Sequence, residues 1–422
     1  MRCAIVDAYS AGRYLAERLS ARGVRCVHVR SSPDVTPMLM RSFRPEGIER
    51  ELGYAYDLEA VAWELERLGV DRIVPGTESG VEIAEALAHA LGLATNGDHP
   101  SRLRRDKSLT AAALRRAGLD APEGTVVRTA AEGIAWAARH PADSVVVKPL
   151  DSGGSDHVFF CRSADDVAVA VESVIGARTL YGDTSRAALV QERLYGTEYY
   201  SNTVSAGGRR KVVETWRYAK LQGPGESLLY DYEEPVDHSA PEVPVLHRYV
   251  RAVLDAIGIR NGAAHMEVIL TRRGPVLLDC GARLCGAFIP HVIEEAIGFS
   301  QLSVLVETIV EPDAIESFDE SSWSWPRAFR NVFLVNDRAG VAGDLEVADE
   351  LRALPSVVEL ALTISPGGPA PATTDLLTAP GYVYLSAPTR DELERDYRRI
   401  RELERRSPFV VADPVPAATA SA

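Results

Sequence analysis

The sequence predicts an α/β chain that opens on a doubly wound parallel sheet and continues as α+β blocks ending in a small C-terminal extension. Three observations carry this expectation. The first hundred residues alternate short apolar strands with amphipathic helices, the pattern of βαβ units. Beyond the polar turn cluster 96–101 the alternation gives way to strands joined by short turns. The final block holds short strands and closes on one charged helix.

In chain order, Cys3–Asp7, Val24–Val29 and Asp71–Pro75 read as strands, and Gly12–Arg22, Leu58–Leu68 and Val81–Leu91 as helices. Sheets of this kind place ligands beyond the carboxyl ends of their strands, here Asp7–Gly12 and Gly76–Gly80. The first strand–helix turn, Asp7-Ala8-Tyr9-Ser10-Ala11-Gly12, lacks GxGxxG, which argues against a dinucleotide-binding dehydrogenase. A helix over Arg102–Ala117 follows. Then comes the β-branched strand Val145–Pro149, the glycine- and serine-rich loop Leu150–Asp156 and a strand over His157–Cys161. Strand, loop, strand is a hairpin order, unlike the strand–loop–helix of a P-loop. Ala187–Glu192, Glu198–Ser205 and Arg209–Tyr218 read as strands and Val245–Ile257 as a helix. Ala263–Leu270 and Pro275–Cys280 form a hairpin about Arg272-Arg273-Gly274, and helices follow at Ile289–Ala296 and Gln301–Ile309. The last block has strands at Asn331–Val335, Val357–Thr363 and Tyr382–Ser386 and a helix at Arg390–Arg405. The boundaries are 1–100, 101–192, 193–326 and 327–410, with a proline- and alanine-rich disordered tail over 411–422.

The chain is long enough, at 422 residues, to bury its own cores without a disulfide or structural metal. Its net charge of −14 argues against nucleic acid or an anionic membrane as partner. The five cysteines form no CxxC pair and read as reduced core thiols. The N-terminus opens as a strand, not a signal peptide, and no stretch reaches membrane-spanning length, so the cytoplasm is the expected location. A homodimer is compatible with these features.

Several residues stand out chemically. Lys148 ends the apolar strand before the small-residue loop, where backbone N–H groups can approach phosphate oxygens. Lys107 lies in Arg104-Arg105-Asp106-Lys107, which alone reads as a solvated basic cluster. Gln191-Glu192-Arg193-Leu194 ends a strand and can offer backbone groups to a planar ring, with Glu198 within reach of hydroxyls. The sharpest signal is the hairpin carrying Glu267 and Asp279. A carboxylate in an apolar strand is costly unless paired, and two on adjacent strands can share a hard cation completed by phosphates and water. Arg283 follows as a planar fork for phosphoryl oxygens, and a buried arginine–carboxylate pair is the structural alternative.

Taken in order, these residues resemble the ATP-grasp superfamily over about residues 1–310, in which two α+β subdomains clamp ATP. The resemblance implies ATP and one or two Mg²⁺ ions, with Mn²⁺ able to substitute. It implies that Lys107, Lys148 and the loop Ser152, Gly153, Gly154 and Ser155 meet phosphates. Gln191, Glu192 and Leu194 would border the adenine and Glu198 the ribose. Glu267 and Asp279 would hold metal, and Arg283 the transferred phosphoryl. Many such enzymes have asparagine two places after the second carboxylate; this chain has Gly281. DCGARLCG and the C-terminal block are similar instead to the bacilysin-type L-amino-acid (dipeptide) ligases, some of which carry a tryptophan around Ala287–Phe288.

The expected function is ADP-forming ligation of two amino acids through an acyl phosphate, as in a dipeptide or γ-glutamyl amide, in specialised metabolism. Lys220 and Arg217 are candidates near the substrate carboxylate. Glu78 is either a substrate ligand or a helix cap, and His265, Gly286 and Ala287 border the substrate. His265 and His291 are candidate bases, although a satisfied core histidine is the simpler reading of each. The rival readings are a biotin-carboxylase-like or purine-pathway ATP-grasp ligase, and a nucleotide-binding regulator without turnover.

Overall fold

The structure is a computed structural model that describes residues 1–54, 56–96, 101–140, 144–223, 228–286, 288–321, 324–406 and 409–412. Two compact units divide the chain. The first comprises 1–153, 157–215 and 236–324, and the second 154–156, 216–235 and 325–422.

The first unit opens with β1 (Arg2–Val6), β2 (Arg25–Arg30), β3 (Ile48–Tyr54) and β4 (Arg72–Pro75), which form a parallel sheet in the order β3-β2-β1-β4. The strand order reverses at β1, running out through β2 to β3 on one side and to β4 on the other, which makes the carboxyl end of β1 a switch point. Three glycines let the loops there touch. A Cβ on Gly12 would stand 2.3 Å from the Gly76 carbonyl oxygen, one on Gly76 2.3 Å from that of Asp7, and one on Gly80 2.4 Å from that of Val6. Asp7, at positive φ, is buried and accepts from the Ser31 and Ser79 hydroxyls, locking both loops.

Next come β5 (Gly124–Val127), β6 (Val145–Pro149), β7 (Phe159–Cys161) and β8 (Ala188–Glu192), an antiparallel sheet in the order β5-β8-β6-β7. Its core joins Val145, Val147 and Val190 to Val167 and Val171 of the helix Ala164–Val174. That helix starts at a Ser163/Asp166 capping box.

The chain continues through β9 (Thr197–Ala206), β10 (Arg209–Gln222), β11 (Leu228–Pro235), β12 (Gly262–Thr271) and β13 (Gly274–Gly281). In the first unit β13, β12, β9 and the leading half of β10 lie side by side. Met266, Val268 and Leu277 are buried against Leu246, Val250 and Leu254 of the helix Val243–Ala256. Each such burial is worth roughly 2 kcal/mol. It fixes which face of β12 points inward, so residues 265 and 267 face the other way.

In the second unit the trailing half of β10 and β11 are joined by β14 (Ala328–Phe333), β15 (Gly340–Ala342), β16 (Val357–Leu362), β17 (Pro369–Ala370), β18 (Gly381–Ala387) and β19 (Val410–Ala412). Strand pairing runs β10-β11-β14-β18-β16, with a separate sheet β17-β15-β19. The helix Arg390–Arg406 packs Leu393, Ile400 and Leu403 against Val332, Leu334 and Leu385.

Some segments differ from the sequence reading. Ile48–Tyr54 is a strand with no apolar alternation, since it lies at the sheet edge with charged residues at Glu49, Arg50 and Glu51. Leu228–Pro235 is a strand that buries Asp231, Glu233 and Glu234 against distant partners. The tail assigned to 411–422 begins too early: Ala412 pairs with Val341, so the strand β19 reaches it. The residues 413–422 lie outside the described ones.

Candidate active site

β12 and β13 bring Glu267 and Asp279 directly opposite one another. A bulge follows at once, because Val268 pairs with Leu277 and Leu278 is the extra residue. The Leu278 carbonyl oxygen stands 3.5 Å from Lys148 Nζ. The two carboxylates keep side-chain exposures of 20% and 26%, so both are reachable from solvent while set in a buried hairpin.

Lys107 begins the helix Lys107–Arg116, whose start is fixed by Asp106 accepting from the Ser108 and Leu109 N–H groups. Its Nζ lies 3.1 Å from Asp279 Oδ2 and donates to the Ser152 carbonyl at 2.6 Å. One ammonium thereby ties the glycine-rich loop to the carboxylate pair. Lys148 is buried at the end of β6. Burial, with the neighbouring Lys107 charge, pulls its ammonium down to about 8, against the opposite pull of Asp279, Glu267 and Glu198. Such a lysine welcomes phosphate oxygens, which restore its charge.

Arg283 follows β13. Its Nε donates to Glu78 Oε2 at 3.0 Å and its Nη1 to the Leu284 carbonyl, while among the described residues Nη2 has no such partner. Burial raises the Glu78 carboxyl, while Arg283 and Arg105 oppose the rise. Glu78 lies in the short 3₁₀ turn Glu78–Gly80 and turns its carboxylate to Arg283, while the helix Val81–Ala90 has Gly80 at its N-cap and no side-chain cap hydrogen bond, so the capping alternative falls away. Gly281 is what makes this pairing possible. A Cβ there would stand 2.6 Å from Glu78 Oε2 and 3.0 Å from Arg283 Nε. The Glu78–Arg283 pair therefore occupies the space that an asparagine side chain would need.

A polar line supports Glu267 from behind. His265 Nε2 is 3.5 Å from Glu267 Oε1, its Nδ1 is 2.9 Å from Asn202 Oδ1, and Asn202 Nδ2 donates to Glu214. Buried Gln301 accepts from the Cys285 N–H and donates to the Thr203 and Ala264 carbonyls, holding the loop after Arg283.

The remaining candidates separate. Gln191 is buried on β8, Leu194 is half-buried, and Glu198 lies on β9, near enough for its charge to be felt at Lys148. Glu192 commits its side chain to a fork from Arg273, at 2.5 and 3.0 Å, and to the Glu123 N–H. Its side chain is thus a brace, and only its backbone is left for a nucleotide. Ser152 and Gly153 belong to the first unit, whereas Gly154 and Ser155 cluster with the second. Arg217 and Lys220 are second-unit residues: Arg217 pairs with Glu234 at 2.9 Å, and Lys220 Nζ stands 3.2 Å over the Tyr230 ring. Gly286 lies near the β1 switch point, where its Cβ would be 3.9 Å from Ser10 Oγ. Ala287 lies outside the described residues. His291 is exposed, so it is no core histidine. All five cysteines are free and buried.

Two residues escaped the sequence reading. Arg105, taken with its neighbours as solvated, is a buried guanidinium beside Glu78, and Tyr181 lies beneath it with ring centroid 5.9 Å away. Only the acidic pattern of Glu78 and Glu82 hinted at a cation partner.

Residues 104–287 match the ATP-grasp domain, and residues 332–403 match the L-amino acid ligase C-terminal domain 2. The chain thus contains an ATP-grasp domain followed by an L-amino acid ligase C-terminal domain 2. The chain is 29% identical over 407 residues to dapdiamide A synthase of Enterobacter agglomerans, covering 95% of each chain. An L-amino acid ligase from Bacillus licheniformis shares its fold at a TM-score of 0.73 and 18% identity, over 95% of this chain and 97% of that one. A carboxyaminoimidazole ribonucleotide synthase from Aspergillus clavatus, complexed with ATP, does so at 0.70 and 16%, over 96% and 98%. No helix among the described residues is long and apolar enough to cross a membrane.

Among the described residues no three acidic, histidine or cysteine side chains converge. Two opposed, accessible carboxylates with phosphates and water for the other positions suit magnesium, which seldom takes an all-protein cage.

Proposed function

We propose that this ATP-dependent amino-acid ligase activates one amino acid as an acyl phosphate and passes it to the amine of a second, releasing ADP and phosphate. The observation that carries the reading is the register of β12 on β13, which sets Glu267 opposite Asp279 with Lys107, Lys148 and Arg283 around them. Glu267 and Asp279 would hold magnesium, which when bound supplies charge neutralisation on the phosphates. Lys107, Lys148 and the loop from Ser152 hold the phosphate chain, with Glu198 toward the ribose and the backbone of Gln191–Leu194 toward the adenine. Glu78 accepts the ammonium of the donor, which holds its carboxylate in line with the γ-phosphoryl. Arg283 donates through Nη2 to the phosphoryl as charge spreads over its oxygens. Phosphoryl transfer asks little else of a protein than this positioning. The C-terminal domain match and dapdiamide A synthase favour amino acids over a ribonucleotide or bicarbonate.

The test is a pair of isosteric changes, Glu267→Gln and Asp279→Asn. Each should lower amino-acid-dependent phosphate release by at least about a hundredfold while the melting temperature holds. Wild-type turnover in either variant would remove the metal role.

A further inference from the structure

Arg105 presents a feature that phosphoryl transfer does not use. Its side chain is 9% exposed, yet among the described residues neither Nε nor Nη2 has a hydrogen-bond partner. These two nitrogens form the side-on edge of the guanidinium that grips a carboxylate or phosphate with parallel bonds. The carboxylates paired with it stand off among the described residues: Glu78 Oε1 is 3.9 Å from Nε and Asp183 Oδ2 3.9 Å from Nη2, while Glu82 meets Nη1 at 3.5 Å. A buried donor left unpaired is costly, and a fork left unpaired twice over.

The neighbours describe what would fill it. The phenol of Tyr181 also has no hydrogen bond among the described residues. The absence of a side chain on Gly153 leaves room for its hydroxyl, which would lie 2.9 Å from a Cβ there. Tyr181 keeps its proton, because burial and then Glu78 raise its ionisation well above the ordinary value, so it can only donate to an anion. Glu78 bridges this corner to Arg283. The donor ammonium on Glu78 and a separate carboxylate on Arg105 together satisfy every group named.

We propose that Arg105, with Tyr181, forms a receptor for the substrate carboxylate that is not activated. It rests on the ligase reading above. That carboxylate belongs either to the acceptor amino acid or to a donor with a second carboxylate. Both present the same planar oxyanion.

The experiment compares wild type with Arg105→Met, Arg105→Lys and Tyr181→Phe. It uses ATP, magnesium and the protein L-amino acids, each also supplied as its carboxamide. Donors are read alone by hydroxylamine trapping and donor–acceptor pairs by phosphate release. Arg105→Met should raise KM for one free acid by about thirtyfold or more. KM for ATP should stay within about twofold. The carboxamide of that substrate, poor with wild type, should be no worse with the variant. Arg105→Lys, charged but without the fork, should lie between. A defect present in the trapping arm assigns the carboxylate to the donor; one confined to the paired arm assigns it to the acceptor. Unchanged amino-acid KM values, a rise in KM for ATP alone, or equal loss on acid and amide would each overturn the proposal. Wild type that releases no phosphate with any pair would instead overturn the ligase reading.

Discussion

Replacing Gly281 by alanine should disable the site without unfolding the chain. The added Cβ would stand 2.6 Å from Glu78 Oε2 and 3.0 Å from Arg283 Nε, and β13 holds the backbone still, so the side-chain ends must part. Opening the pair from 3.0 Å to about 4 Å costs roughly 1.4 kcal/mol at an effective dielectric of about 20. Losing the charged hydrogen bond adds about 1.5 kcal/mol. Together they predict a loss in kcat/KM of about a hundredfold. Asparagine, bulkier, should cost at least as much. The assay is steady-state phosphate release with circular dichroism as the control for folding. A double-mutant cycle sharpens it: with Glu78→Ala the space is free, so Gly281→Ala should add little to a site already crippled. Wild-type kcat/KM in Gly281→Ala, or full additivity in the cycle, would refute the claim that the glycine exists to admit the Glu78–Arg283 pair.

Further expectations concern pH and stability. Lys148 is charged below about 8 in the free enzyme and neutral above, so ATP affinity should fall as pH rises through about 8. Lys148→Arg, charged throughout, should flatten the profile, and an identical profile in that variant would count against the assignment. Arg401 ties buried Asp231 to buried Glu404 in the second unit. Arg401→Met should lower the unfolding free energy by about 3 kcal/mol, measured in urea, because two carboxylates lose their partner. Burial already raises the Glu404 carboxyl. Without Arg401 the rise is larger and protonation relieves it, so the deficit should be greater at pH 8 than at pH 5. A deficit independent of pH would point to lost packing instead.

How far the sequence was legible follows from where each partner lies. The hairpin β12–β13 was readable because apolar runs flank a glycine turn, and Glu267 and Asp279 stood out as charges inside those runs. β6 and its loop were readable for the same reason. β11 was not: LLYDYEEP looks too acidic for a strand until Arg330, Asn331 and Arg401, at least ninety residues later, pair with its acids. Arg105 was misjudged, and the side-chain partner of Glu192 was not foreseen. A charge reads as solvated, or as free for a ligand, when its surroundings come from elsewhere in the chain. Burial surrounds Arg105, and Arg273 holds Glu192. Glu78 and Arg283 are 205 residues apart, so their contact had no local signature, although Gly281 was its mark.

The central claim is that the carboxylates of β12 and β13 serve an acyl-phosphate route. Product analysis by phosphorus NMR, on wild type with ATP, magnesium and the amino-acid pair that supports turnover, tests it most directly. The account predicts one ADP and one inorganic phosphate for each amide bond formed. AMP with pyrophosphate, or ATP hydrolysis indifferent to amino acids, would contradict it.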